Sequence, residues 1–112
     1  MKSTIYAIDF DDTICYEEDD FIPRVLVEGA KETVNWLYDE GNTIIIWTCR
    51  EGEHLKSAIR FLEKHEIKFH YVNENAPQTP YKTSRKIYAD HYIDNKNFGC
   101  ASPTDWGFIK GD

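Results

Sequence analysis

The chain predicts an α/β fold, a three-layer α/β/α sandwich built on a mostly parallel sheet and forming a single domain over residues 1–112. Three observations predict it. Strand-like and helix-like segments alternate along the sequence, the pattern of strands joined by crossover helices. The run at 42–48 (Asn-Thr-Ile-Ile-Ile-Trp-Thr) is almost continuously apolar, as in strands covered on both faces. With 112 residues, 41% of them apolar and 14% aromatic, the chain can fill one core but not two.

Each element has its own signal. Residues 4–8 are β-branched and aromatic, end at an acidic cluster, and predict a first buried strand. Residues 15–23 are polar and acidic and predict a loop. From about 24 to 40, Val27, Ala30, Val34, Leu37 and Tyr38 recur at helical spacing, and Gly41 ends that helix by accepting a left-handed backbone. The apolar run 42–48 is the second strand. Leu55, Ala58, Ile59 and Leu62 form one stripe of a second helix over 53–66. Residues 68–72 predict a third strand, and 73–83 a loop interrupted by Pro77 and Pro80. Residues 87–93 predict a fourth strand ending at Asp94-Asn95, and the tail at 106–109 an edge strand.

Charge and cysteine content narrow the function. The formal net charge is -7, from 20 acidic and 13 basic side chains. Non-specific nucleic-acid binding and attachment to anionic membranes both need a basic footprint that is missing here. No stretch approaches the ~20 apolar residues of a membrane span, and the first residues carry no signal-peptide pattern. Cys15, Cys49 and Cys100 have no paired spacing, which predicts reduced thiols in a cytoplasmic protein and no structural zinc. No histidine pair has ligand spacing, and Cys49 reads as a small buried side chain.

The chemistry concentrates at Asp9-Phe10-Asp11-Asp12-Thr13-Ile14, directly behind the apolar Ile5-Tyr6-Ala7-Ile8. Three carboxylates at the exit of a buried strand are costly to hold together without a compensating cation. Ligands of open α/β sheets bind at the carboxyl ends of the strands. Asp9 and Asp11 leave the first strand, Thr48 the second and Asp94 the fourth, so Asp9, Thr48 and Asp94 are expected to converge on one rim. Lys86 precedes its strand and must reach that rim from the incoming loop or a short helix.

In this order the residues resemble the haloacid dehalogenase superfamily of phosphohydrolases. Asp9-Phe10-Asp11-Asp12-Thr13 matches the first motif and Ile44-Ile45-Ile46-Trp47-Thr48 the second; Lys86 in Ser84-Arg85-Lys86 matches the third and Tyr92-Ile93-Asp94-Asn95 the fourth. The likeness spans essentially the whole chain. Trp47-Thr48-Cys49-Arg50-Glu51-Gly52-Glu53 and Asp105-Trp106-Gly107 are similar to a group of small hydrolases without a cap domain. The insertion points for caps, at 14–23 and 73–84, are only loop-sized here.

The resemblance implies a Rossmann-like fold and a Mg²⁺-dependent phosphatase. Asp9 would attack phosphorus to form an aspartyl-phosphate. Asp11 would protonate the leaving oxygen and then activate water. Mg²⁺ would be held by Asp9, Asp94 and the backbone carbonyl of Asp11. Thr48 would bind a phosphoryl oxygen and Lys86 would neutralise developing charge. Arg50 is the candidate for contact with an anionic substrate group. Two positions depart from the pattern: Asp12 stands where many relatives carry Gly, and Asn95 where a second acid is common. The expected partner is a phosphorylated small molecule or macromolecule. An uncapped rim suits a bulky substrate, a loop-gated small one, or completion by a second subunit of a homo-oligomer.

Other readings compete. A receiver-type signalling domain also uses an acidic metal pocket, a threonine and a lysine, but carries its phosphorylated Asp on a later strand. A binding protein that kept the fold and lost activity is a second rival, and a metal-dependent nuclease a third, disfavoured by charge. Taken singly, Thr48 is an ordinary helix N-cap, Asp94-Asn95 a turn, and Arg50 a surface partner of Glu51 or Glu53.

Overall fold

The computed structural model describes residues 3–17 and 20–111, with six strands, β1 (Ile5–Ile8), β2 (Cys15–Glu17), β3 (Pro23–Leu26), β4 (Thr43–Ile46), β5 (Tyr71–Val72) and β6 (His91–Ile93), and three helices, α1 (Ala30–Asp39), α2 (Gly52–Lys64) and α3 (Trp106–Lys110). Glu18 and Asp19 of the acidic run, and Met1-Lys2 at the start, lie outside the described residues.

The four-stranded sheet has the order β5-β4-β1-β6, and each neighbouring pair in it is parallel. It is the mostly parallel α/β architecture without a cap that the alternating pattern predicts. The chain moves from β1 to β4 and β5 in one direction, then crosses back to place β6 on the other side of β1. That reversal makes the β1–β6 boundary the topological switch point, where α/β sheets open a crevice.

Strand parity explains the core. Ile8, Ile44 and Ile46 face one side and pack with Val34 and Leu37 of α1 and Ala58, Phe61 and Leu62 of α2. Ile5, Ala7 and Ile45 face the other and meet Ala76, Ile87 and Ala89. All four residues of β4 are buried, so its apolar run is accounted for on both faces. Each such side chain contributes about 1.5–3 kcal/mol on burial. The second face is covered not by a helix but by the long connection 73–90. A right-handed crossover returning to the far side of β1 must use the face opposite α1 and α2.

Four local expectations are corrected. β2 and β3 pair as antiparallel strands within the predicted loop and helix start, so α1 begins at Ala30 rather than near 24. Only His91–Ile93 of the predicted fourth strand is a strand. The tail at 106–109 is the helix α3, because Asp105 caps it by accepting from the Phe108 N–H at 3.1 Å and Trp106 turns fully inward. Cys49 is exposed. Gly41 does end α1, with φ 92° and its N–H donated to the Tyr38 carbonyl at 3.1 Å.

Candidate active site

The register aligns three strand ends. Ile8 pairs with Ile46 on one side and Ile93 on the other, and the ladder runs one step further through Asp9 N–H to the Ile93 carbonyl and Trp47 N–H to the Ile8 carbonyl, each 2.9 Å. Asp9, Asp94 and the segment carrying Thr48 therefore emerge at the same rim.

The loop after β1 is tight. The Phe10 carbonyl accepts from Ile14 N–H at 2.8 Å and from Cys15 N–H at 3.3 Å. Phe10, Thr13, Ile14 and Cys15 are buried, which anchors the turn and leaves Asp9, Asp11 and Asp12 half-buried at the rim. Asp12 has φ 60°, a left-handed conformation that a short polar residue tolerates better than most.

Thr13 ties the rim together. Its hydroxyl donates to Asp9 Oδ2 at 3.2 Å and accepts from the Asn95 N–H at 3.2 Å, with Thr104 Oγ1 2.9 Å away. Its carbonyl accepts from the buried Trp106 indole at 2.6 Å. The terminal amide of Asn95 lies 3.1 Å from Asp9 Oδ2, 3.2 Å from the Asp11 carbonyl oxygen and 3.3 Å from Asp94 Oδ1. The orientation that satisfies both ends turns its NH₂ to these oxygens and its own oxygen to Ser102 Oγ at 2.8 Å. Asn95 thus acts as a donor gathering three oxygens, not as an oxygen ligand.

Asp9 is the perturbed group. Burial above all, then the charge of Asp94 and in smaller part that of Asp11, push its pKa from 3.8 up to about 7, against hydrogen bonds from Thr13 and the Phe10 backbone. Desolvation and like charge both disfavour the carboxylate. The converging oxygens are two carboxylates and one carbonyl, hard donors of the kind Mg²⁺ prefers. Among the described residues no group of three or more His, Cys, Asp or Glu side chains is set for a metal. A cation here would rest on Asp9, Asp94 and the Asp11 carbonyl, with water completing its shell.

Thr48 is not a helix cap; Glu51 holds that position on α2. Asn73 straps the Thr48 backbone from both sides, accepting from its N–H at 2.9 Å and donating to its carbonyl at 3.0 Å. The Thr48 hydroxyl accepts from Arg50 N–H at 3.1 Å. Lys86 arrives on the connection before β6, with Nζ 4.7 Å from the Tyr92 ring centroid, and lines one cavity with Trp47 and Asp94. Residue-type patterns singled out neither Asn73 nor Asn95 as structural donors, although Asn73 directly follows β5 and Asn95 lies two residues past β6.

Arg50 departs from expectation. It is 8% exposed, and its guanidinium takes Asp11 rather than Glu51 or Glu53: Nε lies 3.1 and 3.0 Å from the two carboxylate oxygens and Nη2 2.7 Å from Oδ1. Nη1 donates to the carbonyls of Phe21 at 2.8 Å and His54 at 3.1 Å, and the group lies over the Phe10 ring at 5.2 Å. Among the described residues, an anionic partner of Arg50 is thus a residue of the site itself.

No protein-family model matches the chain, and no curated protein does. Among solved structures, the conserved protein coded by a locus from Bacteroides thetaiotaomicron is similar, at 34% identity over 96% of this chain and 87% of that one, with a TM-score of 0.79.

Proposed function

We propose that this chain, which belongs to the family of the conserved Bacteroides thetaiotaomicron protein, is a Mg²⁺-dependent phosphohydrolase of the haloacid dehalogenase type that cleaves a phosphomonoester through an aspartyl-phosphate on Asp9. One observation supports the reading: the Asn95 side-chain amide gathers Asp9 Oδ2, the Asp11 carbonyl and Asp94 Oδ1, at 3.1, 3.2 and 3.3 Å from its nitrogen, so the hard oxygens of the strand exits share one rim, where burial and the charge of Asp94 push Asp9 up to about 7.

Asp9, Asp94 and the Asp11 carbonyl would hold Mg²⁺, which would supply positive charge against the repulsion between the nucleophile and the phosphoryl oxygens. The free oxygen of Asp9 attacks phosphorus; the new O–P bond forms as the ester O–P bond breaks. Asp11 delivers a proton to the departing oxygen, then takes one from the water that cleaves the acyl-phosphate. Arg50 grips Asp11 and would hold the carboxylate left once the departing oxygen has its proton, oriented to activate water. Thr48 offers its hydroxyl to a phosphoryl oxygen from a backbone strapped by Asn73. Lys86 brings a positive charge to the same side as Asp94, where it stabilises charge that develops during transfer. Among the described residues no helix is long and apolar enough to cross a membrane.

The test is phosphate release from a panel of sugar phosphates, nucleotides and an aryl phosphate, with Mg²⁺, with chelator, and with Asp9→Asn. Release that requires both Mg²⁺ and Asp9 is expected. Release that survives Asp9→Asn sinks the nucleophile assignment. A phosphoprotein that accumulates without turnover points instead to a receiver-like phosphoacceptor.

A further inference from the structure

Phe21 combines an exposed ring with a left-handed backbone. It is 54% exposed and has φ 59°, a left-handed conformation unfavourable for a bulky side chain. Strain of this kind, on the order of 1–3 kcal/mol, persists only where surroundings impose it and marks functional positions. The imposing contact is the hydrogen bond from Arg50 Nη1 to the Phe21 carbonyl, from the same guanidinium that grips Asp11. The ring stands edge-on to His54 at 5.6 Å. Together they wall a cavity of about 360 Å³ shared by Asp11, Asp12, Glu51 and Lys96. That volume lies at the low end of small-ligand sites, roughly 300–1,000 Å³.

We infer that this cavity is the leaving-group subsite, that Phe21 is its stacking platform, and that it takes an uncharged hydroxylated ring, so that the substrate is a sugar monophosphate. The inference rests on the phosphohydrolase reading, in which Asp11 meets the leaving oxygen and the leaving group must lie on its side. With Asp11 already paired to Arg50, the other carboxyl side chains of the wall among the described residues are Asp12 and Glu51, alongside the Lys96 ammonium. Carboxylates accept hydrogen bonds from hydroxyls and repel further phosphates. The apolar face of a sugar ring fits an aromatic wall. A bisphosphate or nucleoside triphosphate would set its extra charge beside Asp12 and Glu51.

The subsite is tested by binding, independently of turnover. Asp9→Asn protein in Mg²⁺ is titrated by calorimetry with glucose 6-phosphate, fructose 1,6-bisphosphate and inorganic phosphate. Glucose 6-phosphate is expected to bind about tenfold more tightly than the other two, and Phe21→Ala to erase that margin while Phe21→Trp keeps it. In the active enzyme Phe21→Ala raises KM for the sugar phosphate about tenfold. Equal binding of all three ligands, preference for the bisphosphate, or a margin that survives Phe21→Ala overturns the subsite. If the margin is present but wild-type protein releases no phosphate, the subsite stands and the hydrolase reading falls. If Mg²⁺- and Asp9-dependent release occurs without the margin, the hydrolase stands and the subsite falls.

Discussion

Arg50 and Asp11, 39 residues apart in sequence, are joined by a fork in which Nε reaches both carboxylate oxygens at 3.1 and 3.0 Å and Nη2 reaches Oδ1 at 2.7 Å. The arginine side chain is 6% exposed and the aspartate 29%. A pair this sheltered differs from the surface ion pairs Arg24–Asp20 and Lys56–Glu53, which contribute little. The same guanidinium reaches the Phe21 carbonyl in the hairpin connection and the His54 carbonyl in α2, so it couples two flanking segments to the proposed acid–base.

Removing that fork is expected to cost both stability and turnover. Arg50→Met leaves Asp11 without its partner and should lower unfolding free energy by about 2–4 kcal/mol, somewhat less than for a fully buried pair. Arg50→Lys keeps a charge but cannot fork and should recover stability more than kcat. Urea titration and steady-state kinetics check this. If Arg50 only oriented substrate, KM would move and kcat would not. A double-mutant cycle with Asp11→Asn should show strong non-additivity.

Asp9 imposes a pH dependence of definite sign. Its pKa is raised from 3.8 to about 7 in the folded, metal-free chain, so folded protein holds a proton that unfolded protein has released between those values. Stability from this group is full below the window and declines as pH rises through it. The slope is at most about 1.4 kcal/mol per pH unit, and smaller in practice because Asp9 is partly solvated. Comparing wild type with Asp9→Asn by denaturation in chelator, across pH 4–8 (roughly the window of the shift), isolates the contribution. With Mg²⁺ the slope should reverse, because the cation binds the carboxylate and releases its proton.

The same repulsion predicts a trade. Asp9→Asn should raise the melting temperature of metal-free protein while abolishing phosphate release. Stabilisation of wild type by Mg²⁺, measured by thermal unfolding at increasing cation, should shrink sharply in the variant. A variant less stable than wild type without metal would mean that Thr13 and the Phe10 backbone outweigh Asp94 at this position.

Asn95→Asp offers the opposite change. A carboxylate would face three oxygens that now receive N–H donors, destabilising the metal-free protein. Added negative charge should tighten Mg²⁺ binding by roughly tenfold, since affinity follows ligand charge. Calorimetric titration reads the second effect and thermal unfolding in chelator the first.

Trp106 supports the site from behind. Its indole donates to the Thr13 carbonyl at 2.6 Å, and its Cβ stands 3.1 Å from where a Cβ on Gly29 would sit. Trp106→Phe should cost about 1–3 kcal/mol from the orphaned carbonyl and reduce kcat through Thr13. Gly29→Ala, at φ 82°, should be destabilising by a similar amount. Urea titrations of the two variants measure both costs.

Legible from the residues alone were the elements whose cause is local. The apolar run of β4, the stripe of α2 and the left-handed stop at Gly41 each follow from periodicity or backbone chemistry within a few residues. The order Asp9, Thr48, Lys86, Asp94 also marked the rim, because parallel strands carry their exits to one edge. The rest required distant parts to meet. The paired strands β2 and β3 are short and expose Tyr16 and Val25 on their outer face, so the pairing left no clear alternation of apolar and polar residues. The tail read as a strand because Trp106, Phe108 and Ile109 are β-formers by type; burial of Trp106 against Thr13 and capping by Asp105 made it a helix. Arg50 read as a substrate contact because a guanidinium seeks any anion, and only folding brought Asp11 within 2.7 Å of it. Asn95 likewise became a donor through the convergence of three oxygens from β1, its loop and the end of β6. Local propensity sets the elements, and long-range electrostatic pairing sets which polar groups face one another.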